Sequence, residues 1–389
     1  MADRSHIEWT DATWNPITGC QVVSPGCTNC YAMRLAGTRM KHHWSRKGLT
    51  QDSKAGPVWT GEVRFNEEWL DQPLRWAKPR RIFVCAHGDL FAEGVPDEWI
   101  DRIFAVMALC PQHTFQVLTK RAARMRAYLT AEAGQAAPSR QCRFLGDLQV
   151  AIRNGDTRPD YGEALENHVL RHGWPIYGEA GDWPLPNVWL GVSVEDQARA
   201  DERIPDLLAT PAAVRFISAE PLLGPINLAR IAPDLPGHIP NRKGIEAIEP
   251  LTGKRYRYNV VRAGGKHFFT SYSHGWNFKG QNARLDWVIV GGESGPGARP
   301  MHPDWPRSLR DQCQAAGVAF HFKQWGEWAE VRDVDGSVRS EGAGSIGAWR
   351  SSSGWRFLER GDGHAEVWRV GKKTAGRLLD GRTHDELPS

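Results

Sequence analysis

Short apolar runs recur along this chain, and most are followed by a stretch with apolar residues at helical spacing. Arg81-Ile82-Phe83-Val84-Cys85-Ala86 reads as a buried strand. The segment from Pro96 to Leu109 follows it, with Ile100, Ile103, Phe104 and Met107 on one helical face. Phe115 to Thr119 is the next strand, with a basic helix from Lys120 to Leu129. Val188 to Ser193 precedes a helix from Glu195 to Leu208. Val214 to Ser218 runs into Ala219-Glu220-Pro221, and Trp287 to Gly291 runs into Gly292-Glu293-Ser294-Gly295. A helix from about Trp305 to Ala316, closed by Gly317, leads to the last strand, Val318 to Lys323. A short extended piece, Trp9 to Asn15, brings the strands to about seven. Buried strands alternating with helices predict βα units and a parallel sheet. The expected fold is α/β, a full or partial parallel (β/α) barrel of six to seven strands, with a doubly wound open sheet as the alternative.

Two stretches break the rhythm. Residues 130–185 are polar with mixed charge, and residues 233–283 are basic and punctuated by Gly and Pro. Both read as insertions in a barrel-like core spanning residues 1–325. Residues 326–389 read as a small C-terminal extension. It holds a hairpin region around Trp349, Trp355 to Phe357 and Val367 to Val370, then a basic helix from Lys372 to Asp380 closed by Gly381. Residues 41–60 read as loop, and Asn66 as the N-cap of a helix through Trp69, Leu70 and Trp76.

Composition narrows the class. Hydrophobic residues are 41% and charged residues 24%, with a net charge of +4, as in soluble globular chains that tolerate a nucleic-acid partner. No apolar run reaches the ~18 residues of a membrane span. Met1 to Glu8 lacks a basic segment followed by an apolar one, so no secretory leader is expected and the location is expected to be cytoplasmic. Thiols stay reduced there, which favours metal or redox roles over disulfides.

That matters because three of seven cysteines, Cys20, Cys27 and Cys30, lie in one loop punctuated by Gly19, Pro25 and Gly26. Three clustered thiolates without a fourth close ligand suit an iron–sulfur cluster that keeps one site open. A zinc site completed by His42 or His43 is a second reading, and incidental thiols a third. In a β/α barrel the functional groups gather at the C-terminal strand ends. The loop at 18–32 leaves the first strand there. Asp89, Lys120, Glu195, Glu220, Glu293 and Lys323 end or follow the others. Glu195 and Asp196 could equally cap the helix they open. Glu220 sits in an apolar setting, Ser218-Ala219-Glu220-Pro221-Leu222-Leu223, where a carboxylate needs a reason. Gly291-Gly292-Glu293-Ser294-Gly295 is either a tight turn or a cradle whose amides approach a phosphate or carboxylate.

From Asn241 to Gly280, eight basic residues face two acids, interleaved with Tyr256, Tyr258, Phe268, Phe269, Tyr272, Trp276 and Phe278. This is the composition of a DNA or RNA surface, or of a solvated loop anchored by its rings. The basic stretch Lys120, Arg121, Arg124, Arg126 and the tail Lys372, Lys373, Arg377 either extend that patch or face solvent.

The runs Trp9 to Pro16, Gly19-Cys20, Pro25-Gly26-Cys27 and Cys30-Tyr31-Ala32 resemble a phage- and mobile-element-associated three-cysteine-motif family, regarded as radical-SAM-like. Asp89-Leu90-Phe91, Leu118 to Arg121, Trp189 to Glu195, Ser218 to Gly224, Gly291 to Gly295, Phe322 to Gly326 and Gly376 to Gly381 extend the resemblance. Radical SAM enzymes usually carry C-x3-C-x2-C, whereas here the spacing is C-x6-C-x2-C. The resemblance implies that Cys20, Cys27 and Cys30 ligate a [4Fe–4S] cluster whose fourth iron binds S-adenosylmethionine. An electron donor would drive the cleavage of that cofactor to a 5′-deoxyadenosyl radical. On this reading Glu220, Lys323 and Asp89 are candidate catalytic groups, and Glu195, Ser218, Gly291, Gly292, Glu293 and Ser294 line the cofactor. The expected function is an iron–sulfur, radical-SAM-like enzyme acting on nucleic acid by base modification or lesion repair. The alternatives are a nucleic-acid-binding or partner-docking protein with a structural cluster, and a zinc-stabilised hydrolase or binding module.

Overall fold

The computed structural model describes residues 5, 7–130, 184–231, 245–263, 266–272, 283–330, 355–360 and 363–388. Seven parallel strands form one sheet: β1 (Ala12–Trp14), β2 (Arg81–Val84), β3 (Thr114–Thr119), β4 (Val188–Ser193), β5 (Val214–Ala219), β6 (Trp287–Gly291) and β7 (Ala319–Gln324). Their order in the sheet is their order in the chain, which makes a half-barrel. A doubly wound sheet would reverse direction at a switch point, so that alternative falls away.

The chain divides into two compact units, Met1–Val192 with Thr210–Arg215, and Ser193–Ala209 with Phe216–Ser389. In the first, helix α1 (Tyr31–Gly37) follows the cysteine loop, α2 (Asp97–Ala108) follows β2 and α3 (Ala122–Leu129) follows β3. Ile100, Ile103, Phe104 and Met107 of α2 are buried, as their spacing predicts. So are Ile82, Val84, Phe115 and Val117 of the sheet. Each such side chain contributes roughly 1.5–3 kcal/mol of burial, which fixes the strand ends that carry polar groups.

Two expectations fail in this unit. The helix drawn from Asn66 is two short 3₁₀ turns, Glu67–Trp69 and Gln72–Arg75. Pro73 lacks the amide that a continuous helix would need there. Within residues 41–60, Thr50–Ser53 and Gly56–Trp59 pair as a hairpin rather than a loop. It turns at Lys54-Ala55, and Gly56 opens the return strand with a φ of 112° that suits glycine.

In the second unit, α4 (Gln197–Ala209) and α5 (Asp304–Ala316) accompany β5 to β7. Gly317 ends α5 in the left-handed conformation (φ 64°), as expected. Ile245–Glu249, Lys254–Ala263 and Lys266–Tyr272 form a three-stranded antiparallel sheet within the second insertion. The C-terminal strands Trp328–Glu330, Trp355–Arg360 and Gly363–Arg369 form another. The terminal helix is only Lys372–Ala375, because Gly376 adopts φ 67°, ψ −155°. The chain beyond it lies along β7. The Phe322 amide donates to His384 O (3.0 Å), and Trp287 Nε1 donates to Glu386 O (2.8 Å). An edge that would otherwise present unpaired backbone is thereby covered. Most of the first insertion (131–183), Cys142, Trp349, and residues 241–244 and 273–280 of the basic-aromatic stretch lie outside the described residues. No described helix is long and apolar enough to cross a membrane.

Candidate functional site

In the first unit the cysteine loop is anchored at both ends. Gly19, at φ 95°, donates to His87 O (3.3 Å), and a Cβ there would lie 2.3 Å from Glu62 O. A 3₁₀ turn, Pro25–Cys27, bends the chain, and the Cys30 amide donates to Cys27 O (3.2 Å). Cys30 then stands at the N-cap of α1. Cys20 and Cys30 pack on a cluster of Ala32, Met33, Ala36, Leu49 and Trp59, and Cys27 is buried.

Burial pushes the Cys20 thiol up to about 12, helped by the charge of Asp89 and opposed by Arg121. Burial also raises Cys30, against the amides of Met33 and Ala32. Cys20 feels the charge of Cys30, and Cys30 that of Cys27, so three free thiols share one electrostatic neighbourhood. Among the described residues no group of three His, Cys, Asp or Glu side chains is arranged to hold a metal. The donor chemistry fits a sulfur-ligated cluster, and the loop must draw its sulfurs inward to close on one.

Arg121 ties this loop to the strand ends. Its side chain is 6% exposed. Nη1 lies 3.4 Å from Cys20 Sγ and 3.1 Å from Asp89 Oδ2, and Nη2 donates to Gln21 O (3.0 Å) and pairs with Glu93 (3.2 Å). Asp89 also accepts from Thr119 Oγ1 (2.7 Å) and from the amides of Phe91 (3.0 Å) and Lys120 (3.1 Å). It therefore acts on the loop by positioning Arg121. The basic stretch at 120–126 is not a solvent face at Arg121 or Arg124; Arg124 donates to the carbonyls of Phe91, Ala92 and Val95.

The second unit has its own constellation. At the end of β5, Glu220 pairs with Lys323 of β7 (Oε1 to Nζ, 3.1 Å) and accepts from Ser218 Oγ (3.3 Å). Both partners keep partial exposure, 15% and 18%. Gly291 lies beneath this carboxylate, and a Cβ there would be 2.4 Å from Glu220 Oε1. A Cβ on Gly292 would meet Trp325 O at 1.9 Å. Glu293 is clasped by Arg299, whose amide, Nε and Nη2 donate to it at 2.8, 2.9 and 2.6 Å. Ser294 Oγ accepts from Gln324 Nε2 (3.1 Å). Glu195 is fully buried and pairs with Arg203 (3.1 Å), which also donates to Ser193 O (2.8 Å). Asp196 serves the helix start by accepting from the Arg199 amide (3.0 Å).

Comparison with family models gives one assignment. A family described as protein of unknown function (DUF5131) matches residues 4–388. The chain belongs to the DUF5131 family. Searches of curated proteins and of solved structures gave no match.

In this DUF5131 chain the strand-end residues fall into two sets. Asp89 joins the cysteine loop through Arg121. Ser218, Glu220, Gly291 and Lys323 form a second cluster, and Gly292, Glu293 and Ser294 continue along its turn. Glu195 is buried and pairs with Arg203. Arg121, Arg203, Arg299 and Glu93 were not singled out from sequence as partners of these acids. Arg121 carried one signal, since it follows a strand directly. Arg203 also carried one, since its spacing places it on the apolar face of its helix with Ala200, Ile204 and Leu207, whereas Arg299, in a Gly-Pro loop, carried none.

Proposed function

We propose that this chain holds a [4Fe–4S] cluster on Cys20, Cys27 and Cys30 and is a radical-SAM-like enzyme acting on nucleic acid in the cytoplasm. One observation carries the reading: three free cysteines on a single loop that leaves the first strand of a parallel half-barrel, two of them packed on the same apolar cluster. A cluster held there, with S-adenosylmethionine bound, would supply one-electron chemistry. The chain's residues do the rest. Arg121 sets positive charge against the Cys20 sulfur and holds the loop by Gln21 O. Glu220, in contact with Lys323 Nζ and Ser218 Oγ, is a carboxylate positioned to exchange a proton with a bound substrate.

A second reading has its own support. Glu195 and Glu293 are occupied by arginines, as in a protein whose cluster is structural and whose task is to bind nucleic acid or a partner. Anaerobic reduction of the reconstituted protein with S-adenosylmethionine separates the two. The enzyme reading expects 5′-deoxyadenosine, lost in Cys27→Ala and reduced about 10²-fold or more in Glu220→Gln when substrate is present. A loaded cluster that yields no 5′-deoxyadenosine, with or without DNA or RNA, contradicts it.

A further inference from the structure

Outside both constellations, the first unit carries an aromatic and cationic surface that the cysteine chemistry does not use. Trp44 is 45% exposed, yet it is held in place rather than loose. Its ring centroid lies 5.0 Å from Trp69 and 5.6 Å from His43, and His43 lies 6.3 Å from Trp69. Three rings thus form one layer with an open member. Arg64 fixes the turn beneath it by donating to the carbonyls of Trp44 and Lys47.

The charge around these rings is unbalanced. Arg46 is 3% exposed, and its guanidinium carbon lies 5.7 Å from the Trp69 centroid. Its polar partners are neutral: Ser45 O (3.3 Å), Ser45 Oγ (2.6 Å) and His87 Nδ1 (2.6 Å). Its Nε is buried without a hydrogen-bond partner. Among the described residues no carboxylate pairs with Arg46, Arg64 or Lys47. A buried cation without a counter-charge costs several kcal/mol unless something supplies the anion. Burial and the neighbouring charge of Arg64 lower Arg46 to about 10, which reports the same imbalance. The acids on the adjoining segments are Asp52, Glu62, Glu67, Glu68 and Asp71; Asp52 pairs with Lys41 (2.8 Å), Glu67 with Arg102 (2.7 Å) and Asp71 with Arg75 (2.9 Å), and Glu62 and Glu68 are exposed.

An exposed Trp44 ring backed by two further rings, beside cations that no described carboxylate neutralises, suits a ligand with a flat apolar face and an anionic backbone. A basic peptide or methylated ammonium would meet the same rings but be repelled by the cations. The surface also adjoins the cysteine loop in the chain's hydrogen-bond network. Thr18 Oγ1, two residues before Cys20, donates to Ser45 O (2.7 Å) and accepts from Asn66 Nδ2 (3.3 Å).

We propose that Trp44, backed by His43 and Trp69, forms with Lys47 and Arg64 a stacking and phosphate-contact platform for single-stranded nucleic acid beside the cysteine loop, with the buried Arg46 adding positive charge beneath it. The proposal rests on the nucleic-acid reading above and gives it a contact surface distinct from the basic insertion at 241–280. A base stacks on Trp44, and the flanking phosphates meet Lys47 and Arg64.

The test is fluorescence anisotropy of labelled single-stranded DNA and RNA oligonucleotides on the full-length protein, titrated with salt. Trp44→Ala is expected to weaken binding roughly tenfold or more, and Trp44→Phe to retain most of it. Lys47→Gln should lower the slope of log K against log salt by about 0.7. Both positions are exposed, so circular dichroism should match the wild type. Binding of only one of the two strands would assign the sugar. If the wild type binds a strand and both Trp44→Ala and Lys47→Gln bind it with unchanged affinity and slope, the platform is wrong and the nucleic-acid reading stands. If the wild type with iron and sulfide bound takes up neither strand, both are wrong.

Discussion

Replacing Arg203 by methionine is expected to destabilise the protein by about 3–5 kcal/mol. Glu195 is fully buried and Arg203 is 2% exposed, so water cannot replace the lost guanidinium. Arg203 also donates to Ser193 O at the end of β4, so that carbonyl loses a donor too. The carboxylate must then either stay charged in an apolar setting or take up a proton. The double variant Glu195→Gln, Arg203→Met removes the stranded charge and should recover part of the loss. Urea denaturation of the wild type, the single and the double variants measures both quantities. A single variant within ~1 kcal/mol of wild type would mean that Glu195 has another charge partner.

Arg121→Met should have an effect of the same class, nearer 3 kcal/mol, because Asp89 keeps three other donors. Its distinguishing consequence lies in the cysteine loop. Arg121 is the contact that joins Gln21 O and Cys20 Sγ to Asp89. Without it, bound iron should be lost faster to a chelator, whereas Arg203→Met, in the other unit, should leave iron retention near wild type. Arg121→Lys should not rescue fully, since an ammonium cannot reach Asp89, Glu93 and the Gln21 carbonyl as a planar fork does. Equal iron retention in Arg121→Met and wild type would remove Arg121 from the cluster's support.

Much of this architecture was legible in the residues. Runs such as Ile82 to Val84 and Trp287 to Val290 are apolar at every position because both faces of these parallel strands are buried. The α2 stripe and the Gly317 cap follow from helical spacing and from glycine's access to positive φ. Local breaks were less legible. Pro73 replaces a helix by 3₁₀ turns, Gly376 ends the last helix after one turn, and the hairpin at Thr50–Ser53 is polar and exposed enough to read as loop. The functional set divides in the same way. The cysteine loop announces itself by spacing, and Glu220 by its apolar neighbours. The partners that decide what each acid does, Arg121, Arg203 and Arg299, come from tertiary approach, which a linear pattern does not encode. The basic stretch at 120–126 shows the consequence: its charges suggested a surface, but Arg121 is spent inside.

If Cys20, Cys27 and Cys30 hold an iron–sulfur cluster as proposed, iron and acid-labile sulfide counted in protein purified without oxygen should each come to about four per chain, with a charge-transfer absorption that the Cys27→Ala variant abolishes. One zinc per chain with neither iron nor sulfide, or iron content unchanged in Cys27→Ala, would contradict the proposal.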